Sequence, residues 1–457
     1  MIEKYLTTFQ DVTAYNNFIN SNECPLVNVS YIASTDEVKY YKEASAQQLI
    51  PFTLHIDELP DSQQVEFCFM TSTVEGDSIP NVFKYKLNNN DWASIDMPIN
   101  TEKNRQTGIM LSEGDTIQIM YKTNSFNEMF WWRDLYGTYG LRYTVSGNIM
   151  SLVWGEDFAY APANKLPISV PTYRDGGVEK NIKFSSMFSG GGTNGVVDAS
   201  NLWLPTNNLP EDIFSYMFSG LGAYLTAGPD VKAKYLPHNA CYAMFDQCIV
   251  LEDMPNVYAE TIEGGAIEYM FAGCTSLVNT TQLHIKNIDT TKGESLKNVF
   301  TGCTSLTSVP VWDENVNIIG EWVGTDMFKG CSSLVSAENF NLRFYNENTT
   351  YGFAYWFTNC ASLEKGPKFG LVTPSNNEVI LNRGLFGTDG SIVNTMYYLN
   401  ALGEIKCSDS DVYENYVAAS GTIYVSAGSE YLSGGSLYGQ LPLGLGSGWT
   451  VAEYQQA

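Results

Sequence analysis

The chain has 457 residues, 44% of them hydrophobic and 16% charged, and its 50 acidic against 25 basic residues leave a formal charge of −25. Such length and apolar content supply a large core and more than one module, which excludes a disordered chain. The charge excludes nucleic acid as a partner, because a polyanion is repelled rather than steered in.

The opening residues MIEKYLTTFQDVTAYNNF contain no basic stretch followed by an apolar run, so no signal peptide is predicted. Nor does any segment reach the roughly 20 apolar residues of a membrane span, so no membrane insertion is predicted. Phe9, Val12, Tyr15 and Phe18 recur at helical spacing, and VNVSYI (27–32) and VKYY (38–41) flank STDE as a short hairpin. Residues 1–50 therefore read as a small segment of helix plus hairpin.

From 51 to 158 the texture changes to short alternating runs: FTLHI (52–56), VEFCF (65–69), VFKYKL (82–87), TIQIMY (116–121) and LRYTVSGNIMSLVW (141–154). Turn clusters such as NNND (88–91) and SEGD (112–115) separate them. Strands at this spacing predict an antiparallel β-sandwich.

Residues 159–395 are written in repeats. YMFAGCTSL (269–277) returns as NVFTGCTSL (298–306), DMFKGCSSL (326–334) and YWFTNCASL (355–363). Anchored on their aromatic, the series is Phe188, Phe218, Phe245, Phe271, Phe300, Phe328, Phe357 and Phe386, with steps of 30, 27, 26, 29, 28, 29 and 29 residues. A period of this size is the mark of a solenoid. Cys248, Cys274, Cys303, Cys331 and Cys360 follow the anchor at a fixed distance, and Leu251, Leu277, Leu306, Leu334 and Leu363 follow the cysteines. Further on lie Val257, Leu283, Trp312, Phe340 and Phe369, and four residues before the anchor Phe184, Phe214, Cys241, Ile267, Leu296 and Phe353. The spacing around the anchor predicts a short helical turn, then a strand and a return loop, about eight coils in all, stacked right-handedly. One coil cannot bury its own Phe, Cys and Leu, but stacked coils bury all three. The residues from 396 to 457, with TIYVS (422–426) and a glycine-rich run, read as a closing cap.

Nine cysteines without a CxxC pair argue against a zinc ribbon or a disulfide framework. The repeat cysteines read as small core residues; a disulfide between coils is disfavoured because a parallel ladder points successive Cβ atoms the same way. His55, His238 and His284 lie far apart and share no spacing with acid or thiol partners. No nucleophile elbow, zinc-binding helix motif or phosphate loop occurs. Loops EGDS (75–78) and SDSD (408–411) lack a full calcium ligand pattern and read as solvated turns. No catalytic residue, metal or cofactor is assigned.

What remains is recognition. Asp253, Asn256, Asn279, Gln282, Ser308, Ser336, Asn339, Lys365 and Lys368 fall two or five residues after the repeat leucine and are expected to line an exposed strand face, either as a ligand surface or merely as a soluble one. The tyrosine-rich stretch FYNENTTYGFAYWF (344–357) has the rings to stack on sugars, although Phe353 and Phe357 occupy core positions.

The MF-x-G-C-x-S-L word resembles leucine-rich repeats of the BspA type, found on bacterial and some parasite surfaces. VSGNIMSLVWGEDF (145–158), VVDASNLWLP (196–205), SGWTVAEY (447–454) and the opening PLVNVSYI with EVKYY are together similar to repeat-bearing structural proteins of gut Bacteroidales and their crAss-like phages. The resemblance implies a leucine-rich solenoid behind a β-sandwich, serving adhesion or virion decoration, and supplies no catalytic site. Irregular stretches near 189–195 and 221–235 depart from the tidiest members, so no ligand residue is carried over. Without a signal peptide, a virion surface is expected. The N-terminal segment would hold other virion proteins, and the solenoid a host-surface glycan or protein. A bacterial cell-surface adhesin and a purely structural decoration are the alternatives. Fibres are often homotrimers, but no heptad stretch here requires one.

Overall fold

The computed structural model describes residues 6–9, 29–32, 37–39, 50–59, 64–69, 81–97, 105–121, 141–154, 172–175, 178–190, 195–206, 209–281, 283–312, 316–319, 323–344, 354–377, 379–381, 385–386, 393–407 and 417–455. The chain is mainly β with almost no helix, and its centre is a β-solenoid of about six turns. Among the described residues the one α-helical stretch is Ser151–Trp154, and no helix is long and apolar enough to cross a membrane.

At the N-terminus, Leu6–Phe9 pairs in parallel with Val29–Ile32, which pairs antiparallel with Glu37–Lys39. Phe9, read above as part of a helical face, closes a strand; the rest of that face, Val12, Tyr15 and Phe18, lies outside the described residues. A six-stranded sheet follows, in the order Val196–Trp203, Arg142–Asn148, Phe52–Glu58, Thr116–Tyr121, Asn81–Leu87, Ala93–Met97. Every neighbouring pair in it is antiparallel except the first. Val65–Phe69 and Arg105–Leu111 form a separate antiparallel pair. Alternation explains the sheet's inner face: Phe52, Leu54 and Ile56 point into the core while His55 and Asp57 do not. The parallel strand Val196–Trp203 comes from inside the repeat region, so the sheet takes in a strand of that region.

In the solenoid, Val231–Leu236, Val257–Glu263, Leu283–Asp289 and Asn317–Ile319 stack as one parallel sheet, with Val231 opposite Val257 and Val257 opposite Leu283. A second parallel sheet runs Asn341–Phe344, Lys365–Ser375, Thr395–Ala401, Gly421–Val425, Trp449–Glu453. The stretch after 395, expected to cap the stack, thus continues it: Phe369 pairs with Tyr398, Tyr398 with Val425 and Val425 with Glu453.

The predicted helical turn is not a helix. In the coil of Phe245, the amides of Tyr242, Met244, Asp246 and Cys248 donate three residues back, whereas those of Cys241, Ala243, Phe245 and Gln247 donate to Ala266, Glu268, Met270 and Ala272 of the next coil. An α-helix keeps all its interior amides for itself; here alternate ones bind coil to coil. Asn239, Ala243 and Gln247 sit at positive φ (56°, 51° and 61°), one every four residues. A turn that repeats every four residues brings positions four apart to the same side, which mimics helical spacing in the sequence.

The anchors form one column. From Phe188 to Phe357 successive ring centroids are 5.2–5.5 Å apart and nearly parallel. At its ends the column opens, to 6.0 Å between Phe357 and Phe386 and to 6.3 Å between Phe188 and Phe52 of the N-terminal sheet. The solenoid has about six turns, where counting phenylalanines predicts eight. Beside the rings lie buried Leu251, Leu277, Leu306, Leu334 and Leu363.

Cys248, Cys274, Cys303, Cys331 and Cys360 are buried and free. Each thiol donates to the carbonyl oxygen of the anchor one coil back, Cys248 to Phe218, Cys274 to Phe245, Cys303 to Phe271, Cys331 to Phe300 and Cys360 to Phe328, at 3.1–3.3 Å. The same carbonyls of Phe245, Phe271, Phe300 and Phe328 accept the amide of their own coil's cysteine. A small side chain with a weak donor thus fills the second lone pair of a buried acceptor. Burial drives the Cys274 thiol up to about 12 and raises those of Cys248, Cys303 and Cys331 in the same direction.

Candidate functional site

A solenoid offers its surface in rows, one residue per coil. The row anticipated two residues after the repeat leucine is a ladder of short parallel bridges, Asp253 to Asn279, Ser308 to Ser336, and Ser336 to Lys365. Two of its members, however, hold each other. Asn279 Nδ2 donates to Asp253 Oδ1 at 2.7 Å, and the Ser336 hydroxyl accepts the Glu338 amide at 3.2 Å. Asn256, five residues after its leucine, donates its amide and its Nδ2 to Asp230 Oδ1, both at 3.0 Å. Burial works against the Asp230 carboxylate, but Lys232 at 2.8 Å and Asn256 outweigh it and hold its pKa below the usual range. Asn339 is exposed, Ser308 half-buried, and Gln282 lies outside the described residues.

Lys365 and Lys368 belong to a cluster that the sequence does not announce. Glu338 accepts from Lys365 Nζ at 3.1 Å and from the Tyr397 hydroxyl at 2.9 Å, and Lys368 Nζ lies 4.0 Å away. The Lys368 ammonium also stands 5.6 Å from the ring centroids of both Tyr397 and Tyr454. Tyr424 stacks on Tyr397 at 5.3 Å. Burial would raise the Glu338 pKa, but the bonds from Lys365 and Tyr397 and the two ammonium charges pull it below the ordinary value. The cluster's groups bind each other and so fasten the last coils to the stack.

A third row lies on the edge where the turns are exposed. Tyr216, Tyr242 and Tyr269 come from three consecutive coils, with ring centroids 5.3 and 5.6 Å apart and planes inclined by 60° and 56°. Tyr216 is 42% exposed, and Tyr242 and Tyr269 are half-buried. Tyr216 and Tyr269 hold φ of 56° and 57°, where a bulky L-residue is disfavoured by about 1–2 kcal/mol. Glu268 lies beside the row and pairs with Lys297 at 3.7 Å. Burial raises the Glu268 pKa against the pull of Lys297, and burial, the Tyr216 phenol and the Glu268 charge raise that of Tyr242. The tyrosines recur at steps of 26 and 27 residues, so the period contains the signal. It is hidden because Tyr242 stands one place further from its anchor than Tyr216 and Tyr269 do from theirs.

The histidines are dispersed. His55 Nδ1 meets the Thr116 hydroxyl at 2.9 Å, His238 sits against the Gly264 carbonyl, and His284 stacks on Tyr258 at 4.4 Å. Among the described residues no group of three His, Cys, Asp or Glu side chains is placed to hold a metal ion. The loops at 75–78 and 408–411 lie outside them, as does most of 344–357. Of that last stretch, Trp356 is buried and donates from Nε1 to the Gly324 carbonyl at 2.6 Å, and so belongs to the core.

Neither a protein-family model, nor a curated protein, nor a solved structure matches the chain.

Proposed function

We propose that this chain is a non-enzymatic surface protein of a phage virion, a fibre or decoration of head or tail, whose solenoid is displayed for adhesion to the host surface. The observation that supports it best is the separation of frame from display. The buried column of Phe, Cys and Leu barely changes from coil to coil, while the outward rows change at nearly every step, as Asp253, Asn279, Ser308, Ser336 and Lys365 do. A constant frame carrying a variable surface suits recognition by an extended face.

The virion setting draws on the resemblance of 145–158, 196–205, 447–454 and the MF-x-G-C words to repeat-bearing phage proteins. The coils are read as BspA-type leucine-rich repeats on the same ground. The N-terminal part is read as a β-sandwich from its short alternating strands between 51 and 158. Residues 1–50 serve as attachment to other virion proteins.

Gold-labelled antibody against residues 180–457, applied to purified particles and to uninfected cells, tests the setting. Label on particles is expected. Label confined to cell envelopes would replace the virion reading by that of a bacterial adhesin. Loss of particle stability without loss of attachment, on removing 180–457, would reduce the role to decoration.

A further inference from the structure

We infer that the row Tyr216–Tyr242–Tyr269 is a binding strip for a neutral, linear hexose polysaccharide, an inference that rests on the adhesive role proposed above. The core has no need of these rings. Behind them Met217, Phe218, Met244, Phe245, Met270 and Phe271 already fill the coils and are fully buried. At the places of Tyr216 and Tyr269 a tyrosine returns once more, Tyr355, while other coils carry Ser186, Ala243, Asn298 and Asp326, all at positive φ. Small or short polar residues suit that backbone, whereas a tyrosine strains it. Strain kept at an edge where Tyr216 is exposed and Tyr269 half-buried points to use at the surface.

The chemistry of the strip narrows the ligand. An aromatic face covers the C–H face of a hexose, and a phenol hydroxyl donates to and accepts from its hydroxyls. Glu268 and Lys297, 3.7 Å apart beside the row, add further donors and acceptors without net charge. The formal charge of −25 disfavours chains bearing uronate, sulfate or phosphate, and nucleic acids likewise. Because the row advances one ring per coil, an extended chain laid along the stack offers successive sugars to successive rings. A linear polymer fits this better than a branched or globular epitope.

The test uses the full-length protein and titration calorimetry. The probes are neutral hexaoses of β-1,4-glucose, β-1,4-mannose, β-1,3-glucose and α-1,4-glucose, with hexagalacturonate as the charged control. At least one neutral hexaose is expected to bind, with an affinity that salt barely changes. Tyr242→Ala should weaken it about tenfold or more. Tyr216→Asn and Tyr269→Asn guard against misfolding: asparagine relieves the backbone, so these variants should melt no lower than wild type while binding falls. Higher stability with lost binding is an outcome a purely structural tyrosine would not produce. The inference is overturned if no neutral hexaose binds, if hexagalacturonate alone binds, or if the asparagine variants bind like wild type. Adhesion to Bacteroidales cells, measured in parallel, separates the two levels. Protein that adheres to cells but binds no hexaose sinks the strip and leaves the adhesion; protein that binds a hexaose through the tyrosines but adheres to no cell sinks the adhesion and leaves the strip.

Discussion

Phe52 and Phe188 are 136 positions apart in the sequence, yet their rings stack at 6.3 Å with planes inclined by 22°. Phe52 thereby stands at the head of the phenylalanine column and joins the N-terminal sheet to the coils. Its amide is also held, accepted by the buried Ser151 hydroxyl at 2.8 Å, which in turn donates to the Ile119 carbonyl.

Phe52→Ala is expected to cost about 3–5 kcal/mol, as for a buried Phe in general, and to uncouple the two parts. Calorimetry should show one unfolding transition for wild type and a broadened or split one for the variant. Phe300→Ala, inside the column between neighbours at 5.5 and 5.3 Å, should cost a similar amount. A neutral effect of Phe300→Ala in denaturant melts would contradict the column.

The cysteine ladder should be chemically silent. Alkylation near neutral pH is expected to leave Cys274, Cys303 and Cys331 unmodified until the protein is unfolded, because burial disfavours the reactive thiolate. Rapid labelling of the native protein, read by mass spectrometry, would contradict their burial.

The same thiols make the fold alkali-sensitive. Cys274 is raised from 9.0 to about 12, so the folded state keeps a proton that the unfolded state gives up. Its contribution is complete below pH 9.0 and is lost as pH rises toward 12. Urea midpoints should fall across that window, and Cys274→Ala should flatten part of the fall.

Glu338 works on the acid side. Its pKa is lowered from 4.5, so its stabilisation is present above 4.5 and lost as pH falls through the folded value. Glu338→Gln weakens the bonds from Lys365 and from the Tyr397 hydroxyl, and because the Lys365 side chain is half exposed, about 0.2–1 kcal/mol is the expected cost near neutrality. Melts from neutral to acid pH should show wild type descending toward the variant.

Gly330 (φ 75°) is replaced in the next coil by Asn359 (φ 61°). A Cβ on Gly330 would meet nothing nearer than the Gly302 backbone at 3.8 Å, so the backbone angle alone sets the cost. Gly330→Asn should be nearly neutral, Gly330→Ala should cost about 1–2 kcal/mol, and Gly330→Val more. Thermal midpoints of the three variants check the order.

The repeat was legible because every coil solves the same packing problem and writes the same solution. Phe, Cys and Leu return at one spacing, and their burial follows from stacking. The form of the turn was misleading. Cys241 and Phe245, four apart, face the same way in a helix and also in a turn that restarts every four residues. Only the destination of their amides, Ala266 and Met270 in the next coil, separates the two. The candidate face was legible as polar but not as paired: Asn256 finds Asp230, and Lys365 finds Glu338, across coils whose register the sequence states only through its apolar positions.

The period, the inward-facing residues and the cysteine-bearing core were thus determined by the sequence itself, because identical local patterns must stack to hide the same apolar groups. The tertiary structure alone decided what occurs once. Phe52 heads the column, Val196–Trp203 joins the N-terminal sheet, strands after 395 prolong the stack, and three tyrosines from neighbouring coils meet at an edge. Each depends on the offset between distant segments, and a single contact between distant segments leaves no period in the sequence to read.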